Sequence, residues 1–374
     1  MANVKTILII GGGMAGMSAA IQLRRRGIHV DLVELDPDWR VYGAGITLSG
    51  PTLRAFTEIG IIDAILSTGW CADGADLYMS DGTRIGELPT PRIGRPDVPG
   101  GGAILRPELA RILREHTLAS GVAVRCGTTF NSIEQDSNGV QVAFTDGRVQ
   151  RYDLVVAADG LHSKTRELIF PDICKPTYTG QGSWRAVVPR PAEVTRIAMF
   201  MGPDIKAGIN PVSNDQMYLF VTEPRAKPEF IDEKLWTETL RQMLAPFGGI
   251  VGEIRDGLNA SSRILYRPFF SLLAPPPWHR GRVVIIGDAA HATTPHLASG
   301  AGIGVEDAIV LAEELERASS VEAALSGFTV RRYERCRIVV ENSLRLGDME
   351  RLGLPREQHE HLMRETMKTL LGPI

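Results

Sequence analysis

The residues with the plainest chemical purpose stand at the start of the chain: Gly11, Gly12, Gly13, Met14, Ala15 and Gly16. They form a Gly-x-Gly-x-x-Gly directly after the apolar run Thr6 to Ile10 and open a helical stretch reaching about Arg26. Gly11 suits the tight turn, Gly13 lets backbone approach a pyrophosphate, and Gly16 allows close helix–strand packing. The helix start offers unpaired N–H groups and positive dipole to phosphates. Glu34 closes a second strand, Val30 to Glu34, 23 residues after Gly11, where an acid can accept hydrogen bonds from ribose hydroxyls. The pattern predicts a dinucleotide site with Met14 and Ala15 in the phosphate-facing turn, but does not separate FAD from NAD.

Two later segments carry further chemistry: Asp153 to Ala158 followed by Asp159-Gly160, and Val283 to Ile286 followed by Gly287-Asp288. Each acid sits just past an apolar strand, the place where a parallel sheet presents its ligands.

The elements needed to position these groups follow from the patterning. Residues 50 to 67 read as a helix, and the alternating stretches Ala75 to Ser80 and Thr83 to Leu88 flank the hairpin turn Asp81-Gly82. Pro89 to Gly102, rich in proline and glycine, reads as a mobile loop. Arg106 to Ala119 is helical, and Val140 to Phe144 and Arg148 to Ala158 are strands around Asp146-Gly147. From Thr177 to Phe270 the chain is β-rich with one helix near Asp232 to Leu244. Gly304 to Arg317 and the Arg/Glu-rich end are helical. The expected fold is α/β: a Rossmann-like cofactor domain assembled from 1–70, 101–176 and 271–330, a β-sheet-rich substrate domain from 71–100 and 177–270, and a C-terminal helical segment, 331–374.

In order and approximate spacing the three motifs resemble the aromatic hydroxylase family of flavoprotein monooxygenases (class A, para-hydroxybenzoate hydroxylase-like), over nearly the whole chain. The resemblance implies FAD as cofactor, with Asp159 in the Asp-Gly motif and Asp288 on the ribityl chain. It also implies Arg106, which opens the helix after the glycine loop, and Arg40 near the adenosine. Many relatives carry Gly-Gln-Gly where this chain reads Ala298-Ser299-Gly300. The amides of Gly300, Ala301 and Gly302 can still face the flavin pyrimidine edge, while the glutamine contact is lost. The implied chemistry is hydroxylation of a small phenolic or N-heteroaromatic ring by NADH or NADPH and dioxygen through a flavin hydroperoxide. Only one dinucleotide fingerprint is present, since Gly100-Gly101-Gly102 lacks the spacing, so the nicotinamide donor is expected to visit a surface groove.

Pro295 and His296 follow the Gly-Asp motif on the loop expected beside the flavin ring. A histidine there could take a phenolic proton, its ordinary pKa lying near working pH, or could simply bond the loop backbone. His291 reads as a packing residue. Trp184-Arg185 matches a recurring Trp-Arg pair of the family, with Arg185 over the flavin, near its donor, or at the domain junction. Tyr218, Phe220, Tyr266 and Phe269 are candidates for lining the aromatic pocket, although an aromatic at strand spacing is more often core.

The bulk numbers exclude other classes. Lys plus Arg, 41, against Asp plus Glu, 44, gives a formal charge of -3, which argues against a nucleic acid partner. Cys71, Cys126, Cys174 and Cys336 show no Cys-x-x-Cys pairing, so no metal site is expected. The N-terminus runs into a strand without the features of a signal peptide, and no apolar run approaches the roughly 20 residues of a membrane span. A cytoplasmic protein without integral membrane association is expected. Arg351 to Leu371 is amphipathic enough for a homodimer contact, an ordinary packed helix being the plainer reading. Two other functions share the motifs. One is a redox-sensing flavin protein without turnover; the other is a reductase or halogenase, although the halogenases' Trp-x-Trp-x-x-Ile-Pro is absent after Trp184.

Overall fold

The computed structural model describes residues 2, 4–41, 43–171, 175–203, 205–229 and 231–374. Cys174 lies outside them.

Thr6–Ile10, His29–Glu34, Ala123–Cys126, Leu154–Ala157 and Val283–Ile285 form the parallel part of a six-stranded sheet. Thr6–Ile10 lies at its centre, paired on one side with His29–Glu34 and on the other with Leu154–Ala157. Ile7, Leu8, Ile9, Val155 and Val156 are fully buried, as a strand covered on both faces requires. The covering includes helices Met14–Arg25 and Gly300–Arg317, which pack on each other through small residues. Gly304 lies where a side chain would come within 3.4 Å of Ala15 Cβ. The Gly-x-Gly-x-x-Gly turn and the Gly-Asp turn therefore meet at the carboxyl ends of the central strands.

A seven-stranded sheet has the order Arg263–Ser271, Thr177–Pro189, Gln216–Pro224, Lys206–Pro211, Ile197–Met201, Ala75–Met79, Arg84–Leu88. The hairpin of residues 75–88 thus joins strands more than a hundred positions later in the chain. Its turn forms as the sequence predicts: Asp81 Oδ1 accepts the Thr83 N–H at 2.8 Å, and Gly82 takes φ +93. One face of this sheet packs Trp184, Ala186, Leu219, Val221 and Tyr266 against the helix Trp236–Met243 and its neighbour Gly249–Gly257.

Several expectations need correction. The helix expected over residues 50 to 67 is two, Gly50–Glu58 and Ile62–Thr68, because Gly60 turns the chain at φ +74. The helix near residue 232 begins as a 3₁₀ turn, Glu233–Leu235, and Gly249–Gly257 is a further helix that its glycines concealed. Part of the expected loop, Gly101 and Gly102, is strand: Gly101–Leu105 pairs with Gly45–Ser49. The boundary at residue 331 falls inside one helix, Val321–Arg351, because no proline interrupts it and Phe328, Arg332, Cys336 and Val339 continue one buried stripe. The final helix, Arg356–Leu371, is packed, with Thr366 and Leu370 buried. Among the described residues no helix is long and apolar enough to cross a membrane.

Candidate active site

The glycine turn is built to the spacing its sequence announces. Gly11, at φ +104, has no room for a side chain, since a Cβ would lie 2.4 Å from Ala158 O. At Gly16 a Cβ would come within 2.0 Å of Gly11 O. Gly13 differs: a Cβ there would meet nothing within 4 Å, so its backbone faces open space. The helix that follows has no side-chain cap and no acid in its first turn, leaving its N–H groups to a ligand. Glu34 holds the turn in shape, accepting from Gly12 N at 2.7 Å and Asp36 N at 2.8 Å. Trp39, unremarked in the sequence, donates from Nε1 to Gly12 O at 2.8 Å. Arg40 stands nearby, paired with Asp36 at 3.2 Å and Asp38 at 3.4 Å.

The acid of the Asp-Gly segment is part of a local network. Both Asp159 carboxylate oxygens are engaged locally, Oδ1 by Ser163 Oγ at 2.5 Å and Oδ2 by Thr165 N at 3.0 Å and Thr165 Oγ1 at 2.9 Å. Asp159 therefore fixes the start of helix Lys164–Ile169. From that helix the buried Arg166 donates to Ala289 O at 2.9 Å and Leu161 O at 2.9 Å, tying this loop to the Gly-Asp turn.

Asp288 is solvent-accessible yet surrounded by protein mass. Burial raises its carboxyl pKa, against the pull of His291 and Arg106. Arg106 lies deep in the same region with its Nε unpartnered. Burial, and then the like charge of Arg185, push its guanidinium down to about 10. Burial likewise lowers Arg185, with Tyr218 opposing. Arg106 thus lies within electrostatic reach of Arg185, Asp288 and Tyr218 at once.

Strand register decides which aromatics belong there. Arg185 pairs with Phe220 and Val187 with Tyr218, so these four side chains share a face. Tyr218 OH lies 2.6 Å from Thr47 Oγ1 and 2.6 Å from Asn210 Nδ2, and its ring is pressed against Gly45. Phe220 covers Gly208, where a Cβ would be 2.3 Å from the ring. Tyr266 pairs with Trp184 and points to the other face, its ring 4.7 Å from that of Trp184. Tyr266 is therefore a core residue, and the expectation that it lines the pocket is withdrawn. Phe269 lies beyond and meets the His296 ring at 6.1 Å.

Pro295 is exposed, but the His296 side chain is 1% exposed. His296 Nδ1 lies 2.8 Å from Thr294 Oγ1, and Nε2 lies 3.3 Å from Glu350 Oε2. Glu350, on helix Val321–Arg351, also pairs with Lys206 and with His359 Nε2 at 3.2 Å. Burial would raise the Glu350 pKa, but Lys206, His296 and His359 outweigh it and hold it low. Burial lowers that of His296, with Glu350 opposing. Gly300 and Gly302 open the helix Gly300–Arg317, and Gly302 packs so closely on Thr52 that a Cβ would lie 2.3 Å from its Oγ1.

These residues fit an FAD: an open glycine turn at a helix start, a second uncapped helix start, an accessible Asp288 and an orphaned Arg106 Nε. Residues 4–343 match the family described as FAD binding domain. The chain is 33% identical to the 2-heptyl-3-hydroxy-4(1H)-quinolone synthase of Pseudomonas aeruginosa, over 82% of this chain and 80% of that one. It is 30% identical to the 3-amino-4-hydroxybenzoate 2-monooxygenase PtmB3 of Streptomyces platensis, over 90% and 85%. The chain is an FAD-dependent monooxygenase of the aromatic hydroxylase family. Klebsiella pneumoniae HpxO, solved with FAD and uric acid, shares the monooxygenase's fold at a TM-score of 0.84, covering 99% of this chain and 96% of that one at 24% identity.

Sequence reading left Asp307, Arg332 and Glu350 of the monooxygenase without roles. All three carry charge on helices and bond residues far away in sequence, so periodicity offered no signal beyond a polar residue on a buried stripe.

Proposed function

We propose that this monooxygenase uses NADH or NADPH and dioxygen to hydroxylate a small phenolic or N-heteroaromatic ring seated on the sheet face of Arg185, Tyr218 and Phe220. The observation that supports this reading is that Arg106 lies within electrostatic reach of Arg185 and Tyr218 on that face and of Asp288, just past a parallel strand. Ligands of relatives fit the same class: a quinolone, an aminohydroxybenzoate and uric acid are planar rings bearing ionisable oxygen or nitrogen.

The amides after Gly13 would hold the pyrophosphate, Glu34 and Arg40 the adenosine side, Asp288 the ribityl chain, and Gly300 to Gly302 the ring edge. When bound, FAD supplies the electron transfer and oxygen activation that side chains cannot. The chain's own part is to orient the ring and exclude water. Phe220 supplies an apolar face. Tyr218, buried beside Ala44, Ala103 and Val212 and fixed by Thr47 and Asn210, backs that face from behind. Arg185 and Arg106 favour the anionic form of a ring hydroxyl, since a cation lowers the pKa of a nearby acid. His296, its side chain buried with Nδ1 bonded to Thr294 Oγ1 and Nε2 facing Glu350, acts on a substrate proton only through the groups around it. The nicotinamide donor reaches the site from a surface groove. In this reading 1–70, 101–176 and the chain from 271 through the helix Val321–Arg351 serve the cofactor, and 71–100 and 177–270 the substrate.

The test is oxidation of NADH and NADPH in air by the purified yellow protein with phenols, hydroxybenzoates, hydroxypyridines and hydroxyquinolines. Ring-dependent oxidation giving a product heavier by one oxygen is expected. Bound flavin that no ring stimulates would overturn the substrate assignment and leave a redox-sensing role.

A further inference from the structure

A buried charge network lies behind the Gly-Asp turn. Chain and sheet part company at Ile286, whose N–H makes the last strand-type bond, to Ala157 O at 2.9 Å. The next amide, Gly287 N–H, has no neighbouring strand to bond. It donates instead to Asp307 Oδ2 at 2.9 Å. The turn Asp288–His291 then closes on itself, Gly287 O accepting from Ala290 N at 2.8 Å and His291 N at 2.9 Å. At its far end the His291 side chain returns to the same carboxylate, Nε2 to Asp307 Oδ2 at 2.5 Å. One oxygen of one aspartate thus grips both ends of the turn that carries Asp288.

Asp307 is itself held from behind. Its Oδ1 accepts from Arg332 Nε at 2.8 Å, and Arg332 pairs with Glu306 at 2.8 Å. Glu306 in turn pairs with Arg335 at 2.7 Å, which donates to Leu370 O at 2.8 Å in the last turn of the final helix. His291, Asp307 and Arg332 side chains are 0% exposed. His291, Asp307 and Cys336 have the donor types of a metal site. The Arg332 guanidinium on Asp307 already supplies the cation there. At Gly287 the backbone has no slack: φ is +60, and a Cβ would lie 2.8 Å from Ala15 Cβ in the glycine-motif helix. A shift of the turn would move Asp288 relative to Gly13 and its neighbours.

We propose that Asp307 is the positioning residue of the cofactor site: its ionised carboxylate sets the Gly287–His291 turn so that Asp288 meets the ribityl chain of FAD. This rests on FAD as resident cofactor. Asp307 touches no ligand and acts through Asp288. The C-terminal helices, through Arg332 and the Glu306–Arg335 pair, keep Asp307 ionised and in place.

FAD release from the purified holoenzyme on dilution, followed by flavin fluorescence, tests this alongside far-UV circular dichroism. Asp307→Asn should keep the fold and raise the FAD dissociation constant roughly tenfold to a hundredfold, the range for a lost charged, buried hydrogen bond. In an Asp288→Ala background the same change should cost under about threefold, because the residue through which it acts is gone. His291→Gln removes one grip and keeps the volume, and should raise the constant several-fold. If Asp307→Asn does not fold, the His291→Gln measurement decides. A dissociation constant within twofold of wild type in a folded variant would overturn the proposal, as would an equal loss with and without Asp288. Wild-type protein that holds no FAD would overturn the cofactor reading itself.

Discussion

His296 Nε2 lies 3.3 Å from Glu350 Oε2, a contact between the loop after the Gly-Asp motif and the end of the long helix. Gly347, one turn earlier on that helix, makes it possible, since a Cβ there would come within 3.0 Å of the His296 ring. The histidine that sequence reading offered as a base is thus enclosed by the C-terminal helix.

Its enclosure sets a pH dependence. Burial holds His296 below the ordinary imidazole range, so the unfolded chain takes up this proton before the native state does. Stability linked to His296 is therefore complete above an unfolded pKa of about 6.5 and falls as pH drops from there toward the folded value. His296→Gln should flatten the pH dependence of the urea midpoint below about 6.5. An unchanged slope would mean that His296 is not buried neutral. In turnover, the acidic limb of kcat/KM against pH should weaken in the same variant.

Glu350→Gln removes the anion that Lys206, His296 and His359 share. Three basic groups left together without their carboxylate should lower stability by about 1–3 kcal/mol, measurable by urea unfolding at pH 7. A loss below about 0.5 kcal/mol would place the cluster among exposed, weakly contributing pairs.

The glycines of the first motif should separate by role. Gly13→Ala adds a methyl to open space, so the protein should fold normally yet retain FAD poorly, because the methyl stands where a phosphate approaches backbone. Gly16→Ala places a Cβ 2.0 Å from Gly11 O and should reduce soluble, folded protein. Circular dichroism and the flavin-to-protein absorbance ratio distinguish the two.

Tyr266→Phe should leave KM and turnover as they are and hold or raise stability, because the Tyr266 hydroxyl is buried without a partner. Phe220→Ala, on the opposite face, should raise substrate KM several-fold with FAD content unchanged. A shift in KM for Tyr266→Phe would return that residue to the pocket.

Much of the fold was legible because its signals are local. Gly11, Gly13 and Gly16 specify a turn whatever lies elsewhere, and the buried runs at residues 6–10, 154–157 and 283–285 announce parallel strands by composition alone. Asp288 was expected from the Gly-Asp turn after one of those strands, and Arg106 from the family resemblance alone. Tyr266 was not separable from Phe220, because a strand's register and a bulge between Tyr178 and Gly182 determine which face each residue takes.

The sequence by itself therefore determined the turns, the strand centres and the cofactor motif, since each depends on backbone sterics and polarity within a few residues. Only the tertiary structure decided what the charged side chains do. Asp159 spends its oxygens on its own loop, Asp307 reaches back 20 residues to Gly287, and Glu350 meets Lys206 across 144 positions. A buried charge must find a partner, but that partner need not lie nearby in the chain, so its identity appears only once helices and sheets have packed.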